Sequence, residues 1–154
     1  MFLREHPEYE ERYRNALGLL SYLVGVELGT EGKTERAIRC FELGLAHNPD
    51  NLSLRANYAI SLHALGRVDE ALDQYEGMIR DPDIGVSPHI WVLAARLYDK
   101  QGNYARAHEL MKACEPLLPP EDRALKFLAE LEQKVAERAA CIFRPIMNTH
   151  SGST

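Results

Sequence analysis

Six histidines and three cysteines are the residues of this 154-residue chain most able to hold a metal or act as nucleophiles. Zinc-type sites draw their imidazoles from i, i+3 or i, i+4 positions on one helix face, or their thiolates from close pairs. His6, His47, His63, His89, His108 and His150 fall at no such spacing, and Cys40, Cys114 and Cys141 form no C-x-x-C pair. Three well-separated cysteines fit reduced thiols that fill core gaps better than a disulfide framework. The chain also carries no phosphate loop, no G-x-S-x-G elbow and no dinucleotide fingerprint. Acids such as Glu35 and Glu70 fall on solvated helix faces. The expectation is a protein that is not an enzyme, with no catalytic residues, no metal and no cofactor.

Charge narrows the partners. A formal net charge of −5 with no cluster of Lys and Arg argues against nucleic acid, whose phosphates need clustered cations, and against an anionic membrane surface. No window approaches the roughly 18 apolar residues of a membrane span, and the start "MFLREHPEYEER" has no apolar run of signal-peptide length. The expected location is the cytoplasm.

What remains is the scaffold, and it repeats. "GKTERAIRCF" at 32–41, "GRVDEALDQY" at 66–75 and "GNYARAHELM" at 102–111 share one layout. Ala37, Ala71 and Ala107 are spaced 34 and then 36 residues apart. Each follows a glycine by five residues (Gly32, Gly66, Gly102) and precedes a large apolar residue by four (Phe41, Tyr75, Met111). Upstream lie "SYLVGVEL" at 21–28, "RANYAISL" at 55–62 and "WVLAARLY" at 91–98. Their small or apolar positions, Val24, Gly25 and Leu28, then Tyr58, Ala59 and Leu62, then Ala94, Ala95 and Tyr98, have helical spacing. Each unit therefore reads as helix, glycine turn, helix, closed by "NPDN" at 48–51, "DPD" at 81–83 or "PP" at 119–120.

This layout resembles the tetratricopeptide repeat, a 34-residue W-x2-L-G-x2-Y, A-x3-F, A, P pattern. The third unit matches best, with Trp91, Ala95, Tyr98, Ala107 and Pro119. The first keeps Gly25, Ala37, Phe41 and Pro49 but has Ser21 at the tryptophan position, and the second keeps Ala59, Ala71 and Tyr75 with Arg55 there. The resemblance covers residues 18–119 and implies an all-α, right-handed solenoid, a superhelix of helix-turn-helix units. Small residues at Ala59 with Ala71, and Ala95 with Ala107, let two helices approach within about 8–10 Å.

The expected organisation is an N-terminal extension of the first helix (1–17), three units (18–51, 52–87, 88–120), a capping helix (121–143) and a disordered tail (144–154). Helices are expected near 7–29, 34–47, 52–65, 68–80, 88–101, 104–116 and 121–142. Ser87 before Pro88 reads as an N-cap, and the longer "DPDIGVSP" at 81–88 as a surface loop. In the last helix Leu125, Leu128, Leu131, Val135 and Ile142 form the apolar stripe of a terminal cap. No upstream repeat is expected, since its alanine would fall near Leu3 and its aromatic at Pro7. Instead Tyr9, Tyr13, Ala16 or Leu17, Leu20 and Val24 carry the first helix backwards. Tyr9 and Tyr13, one turn apart and beyond the reach of the second helix, form an aromatic ridge. It is expected to make an intermolecular contact with a second copy or a partner, the rival being a fold-back of Phe2 and Leu3.

The resemblance also implies that function lies in a concave groove lined by the first helix of each unit, which takes a peptide or helical segment of a protein partner. Carried over, the groove positions are Leu19, Tyr22, Val26 and Gly29, then Ser53, Ala56, Asn57, Ile60 and His63, then His89, Val92, Arg96 and Asp99. Family members that grip acidic chaperone tails use a clamp of Lys, Asn and Arg. Those places hold Tyr22, Val26, Asn57, His89 and Leu93 here, so that ligand is not expected. The expected function is a non-enzymatic adaptor or assembly scaffold. The alternatives are a dedicated chaperone for secreted or assembly substrates and a regulatory subunit of an enzyme complex.

Overall fold

A computed structural model describes residues 7–80 and 85–147. These carry seven α-helices and no strand: α1 (Pro7–Thr30), α2 (Thr34–His47), α3 (Leu52–Ala64), α4 (Val68–Ile79), α5 (Pro88–Lys100), α6 (Tyr104–Cys114) and α7 (Arg123–Met147), with a 3-10 turn at Glu115–Leu117. The chain divides at residue 84 into two compact units. In the first, α1 pairs with α2, α2 with α3, and α3 with α4; in the second, α5 pairs with α6 and α6 with α7. The all-α expectation and its seven helices are matched. No helix among the described residues is long and apolar enough to cross a membrane.

The three hairpins end their first helix in one way. Gly32, Gly66 and Gly102 have φ of 75°, 76° and 74°, the left-handed region in which a Cβ meets the following carbonyl. Around Gly66, Arg67 N–H donates to Leu62 O and Gly66 N–H to His63 O, both at 2.9 Å. The same pair of bonds recurs at Lys33 with Gly32 and at Asn103 with Gly102. This is a Schellman ending, which occupies carbonyls that a helix terminus otherwise leaves open. Helix starts use side chains where the sequence offers them. Asn51 Oδ1 accepts from Leu54 N–H at 3.0 Å, and Ser87 Oγ from His89 N–H at 3.4 Å, with Pro88 in the first turn as expected.

Small residues sit where the paired helices meet. Ala59, Ala71, Ala95 and Ala107 are all fully buried. In the first hairpin the contact is closer: a Cβ placed on Gly25 would lie 2.7 Å from Phe41 Cζ, and one on Gly44 2.9 Å from both Ser21 Cβ and Leu54 Cδ1. Gly18, Ser21 and Gly25 thus form the packing seam of α1, all three buried. The apolar series read along this helix faces elsewhere. Tyr9, Tyr13, Leu20 and Val24 are exposed, because α2 lies against the glycine seam on the other side. The ridge is also not wholly beyond α2, since the Tyr13 ring meets His47 edge-on with centroids 6.4 Å apart.

The last helix covers α6 with Ala124, Phe127, Leu128 and Leu131, all buried, while Leu125 and Val135 are half-buried. It runs on to Met147, so 144–147, expected in a tail, are helical. Residues such as Glu132, Gln133, Lys134, Ala136 and Glu137 are strong helix formers and favour its continuation beyond the buried stripe that ends at Leu131. The loop expected at 81–88 lies partly, and the tail at 148–154, Phe2, Leu3 and the side chain of Ile142 wholly, outside the described residues. Of the cysteines only Cys114 fills core, its Sγ 3.6 Å from Pro88 O and its thiol pushed up by burial; Cys40 is half-buried and Cys141 exposed.

Three substitutions test these contacts. Gly66→Ala is expected to lower it by about 1–2 kcal/mol through the left-handed turn, and Ala71→Leu by about 1–3 kcal/mol through overpacking. Gly29→Ala, a helical site with nothing within 4 Å of the added methyl, should leave it unchanged or raise it by up to about 1 kcal/mol; urea denaturation midpoints decide.

Tyr75 supplies a pH dependence. Its side chain is fully buried, its hydroxyl has no hydrogen-bond partner among the described residues, and burial pushes the phenol up to about 12. The unfolded chain ionises near the ordinary value of about 10, so this stabilisation is constant below that pH and is lost as pH rises toward 12. Tyr75→Phe is expected to be as stable as the wild type or more so at pH near 7 and to lose less at alkaline pH. Parallel denaturation curves across that range measure the difference.

Candidate functional site

The groove positions carried over from the repeat pattern do not all lie in one kind of place. In the first unit α1 and α3 enclose a cleft of about 240 Å³. Val26, Gly29, Asn57 and Ile60 line it, together with Gly25, Thr30, Thr34, Phe41, Ser61 and Ala64. Two glycines on the α1 wall make the room: Gly29 has open space where a side chain would be, and Gly25 lets the Phe41 ring form the floor. Ile60 is 42% exposed and is the largest apolar group offered there to solvent.

Neighbouring positions have other duties. Tyr22 and Val26 pack in part on the buried cluster of Ala37, Phe41 and Leu54. Asn57 Nδ2 donates to Ser53 O at 2.9 Å, which fixes the amide along α3. Ala56 and His63 are half-buried, Leu19 is 58% exposed, and none of these lines the cleft. Tyr58, half-buried beside the cluster, donates its hydroxyl to Glu42 at 3.1 Å. Burial first, and that bond second, push its phenol up.

In the second unit a cleft of about 400 Å³ runs between α5 and the turn into α7. His89, Val92 and Arg96 line it, with Leu93 beside them. The opposite wall is Leu117, Leu118, Pro119, Asp122, Arg123 and Ala124; the sequence marks Pro119 as the close of the third unit and 122–124 as the start of the capping helix, and assigns none of them to the groove. The Arg96 guanidinium lies 4.9 Å over the Phe127 ring, a cation–π contact that holds it against α7.

Asp99 is placed differently. Its Oδ1 is 2.6 Å from Lys134 Nζ, and it does not line the cleft. Lys134 is pushed up, chiefly by this hydrogen bond, and sits 5.3 Å over the Tyr104 ring, which Arg138 also approaches at 5.8 Å. Arg138 Nη1 donates to Gly102 O at 2.8 Å. Asp99 therefore works as a latch between α5 and α7. Lys112 does a similar service on α6, 3.1 Å from Glu132 and 3.2 Å from Glu115.

Antiparallel helical hairpins with small-residue seams, matched glycine endings and clefts along their first helices define a helical-repeat protein. Models described as tetratricopeptide repeat match residues 30–81 and 88–115, together just over half of the chain, and the chain belongs to that family. Among solved structures it is similar to the first TPR domain of the human RPAP3 protein (TM-score 0.68, 18% identity, 80% of this chain and 96% of that one). It is similar to the second TPR domain of human RPAP3 in complex with the HSP70 peptide SGPTIEEVD (TM-score 0.67, 22% identity, 77% and 98%). It also resembles the Yersinia enterocolitica type III secretion chaperone SycD in complex with a peptide of the translocator YopD (TM-score 0.61, 17% identity, 77% and 88%). At these identities the likeness is one of fold.

Proposed function

We propose that this protein is a non-enzymatic interaction module that captures an apolar or amphipathic segment of a protein partner in the cleft along α3, the cleft along α5 being a second site of its own unit. The observation that carries this is the chemistry of the walls. The first cleft has an aromatic floor at Phe41, an exposed Ile60 and no charged side chain among its lining residues. Apolar area buried there is worth about 25 cal/mol per Å², and Asn57 is the one clamp-type donor present. RPAP3 and SycD bind peptides in the same fold, which supports the class of ligand, namely a segment of another protein.

The acidic chaperone tail is disfavoured on the same grounds. A carboxylate is held by charge-assisted donors, and Tyr22, Val26 and Leu93 stand where such donors would be. In the second unit Arg96 is engaged over Phe127. Arg123 and Asp122 bring one charge of each sign to that cleft and His89 a polar ring, which suits the polar flank of an amphipathic helix.

The reading is tested by titrating an amphipathic helical peptide and the acidic peptide SGPTIEEVD against the full chain. The helical peptide is expected to bind more tightly. Gly29→Leu, which fills the open wall, and Ile60→Asp should each weaken it by about tenfold or more, equivalent to about 1.4 kcal/mol, with unchanged melting temperature. Tighter binding of the acidic peptide, or indifference to both substitutions, overturns the proposal.

A further inference from the structure

The outer face of α1 carries more apolar surface than any role so far described uses. Leu19 and Leu20 are 58% exposed, Leu23 55% and Tyr13 52%, and Tyr9 and Val24 are exposed as well. Along the helix Tyr9, Tyr13, Ala16, Leu20, Leu23 and Glu27 follow one another at alternating steps of four and three residues. That is the a/d spacing of a helix seam, and it lies opposite the Gly18–Ser21–Gly25 seam that packs on α2. A contiguous exposed apolar strip of this kind marks a contact surface.

We infer that the strip pairs with the same strip of a second copy, the two α1 helices running antiparallel about a twofold axis at residue 18. The residue types select this arrangement. The strip runs from Tyr9 to Glu27 and is centred on residue 18, so an antiparallel pair crossing there covers both strips end to end. Its layers then join unlike sizes: Ala16 against Leu20 of the other copy, and Tyr13 against Leu23. Each small residue receives a large one, and interdigitation of this kind fills a seam.

Charge points the same way. The crossing brings Glu27 of one copy beside Tyr9 and within a turn of Arg12 of the other, twice by symmetry. Arg12 and Glu27 are exposed, and neither takes part in an ion pair among the described residues. A parallel pair would instead set Glu27 against Glu27 and Ala16 against Ala16, a like-charge contact and a hole. Even full cover of the exposed parts of Tyr9, Tyr13, Leu19, Leu20, Leu23 and Val24 would bury at most about 1,200 Å² per pair, the lower edge of stable interfaces. The dimer is therefore one that dissociates on dilution. This goes beyond the cleft reading and does not depend on it.

Sedimentation equilibrium of the full chain from about 1 to 100 µM is expected to show a monomer–dimer equilibrium. Leu20→Glu, at an exposed site, should raise the dissociation constant by about tenfold or more with helicity and melting temperature intact. Glu27→Arg should weaken the dimer, and adding Arg12→Glu in the same chain should restore it. A wild type that is monomeric throughout, or a dimer indifferent to Leu20→Glu, overturns the inference and leaves the strip to a different protein or a lipid surface. A dimer that Leu20→Glu disrupts but the charge exchange fails to rescue overturns the antiparallel register. Peptide binding in the clefts should be the same in Leu20→Glu as in the wild type, so this inference and the cleft reading fail separately.

Discussion

At residue 25 the backbone of α1 lies so near the Phe41 ring that a single methyl group has no room. That approach fixes the first hairpin, and other features depend on it. Because α1 approaches α2 most closely at Ser21 and Gly25, its larger side chains lie to either side of that seam. Tyr22, Val26 and Leu28 turn toward the cluster around Phe41, and Leu20 and Leu23 turn out. The same approach puts the Phe41 ring at the floor of the first cleft. Core, cleft and outer strip are three sides of one helix whose fourth side has been emptied of side chains.

The second unit meets the same constraint with a different solution. Ala95 and Ala107 bring α5 and α6 together, but here charged groups add to the hold. Arg96 over Phe127 and Asp99 on Lys134 bind α5 to α7, two of the four groove positions carried over for this unit. A repeat that ends against a capping helix surrenders polar groups to the cap. The cleft keeps the repeat positions His89, Val92 and Arg96 on one wall and takes its other wall from the segment between Leu117 and Ala124.

The helices were legible because their signals are local: a glycine five residues before each alanine, and apolar residues at helical spacing. Helix ends came within a few residues for the same reason, since Gly32, Gly66 and Gly102 both stop one helix and set the next. What escaped was direction and distance. Val24 has core spacing in the sequence, yet it is exposed, because which flank of α1 meets α2 depends on a glycine seam that carries no hydropathy signal. Asp99 looks like a groove residue until Lys134, more than thirty residues on, is seen beside it, and Arg96, which does line the second cleft, is held there by the similarly distant Phe127. The α7 side of the second cleft was missed for want of any periodic pattern in "PLLPPEDR". The end of the last helix at Met147 lies beyond the expected 142 because the sequence there carries no glycine of the kind that stops the earlier helices.

The matched glycine endings also bear on how the chain acquires its shape. Each turn is closed by hydrogen bonds spanning three and five residues, so α1 with α2, α3 with α4, and α5 with α6 meet across very short stretches of sequence. Little loop entropy is spent in bringing their faces together, and chains ruled by such near-neighbour pairings fold in microseconds to milliseconds. Synthesis delivers about 5–20 residues per second. A completed hairpin therefore has ample time to close as it leaves the ribosome, before the helix that will stack on it has been made.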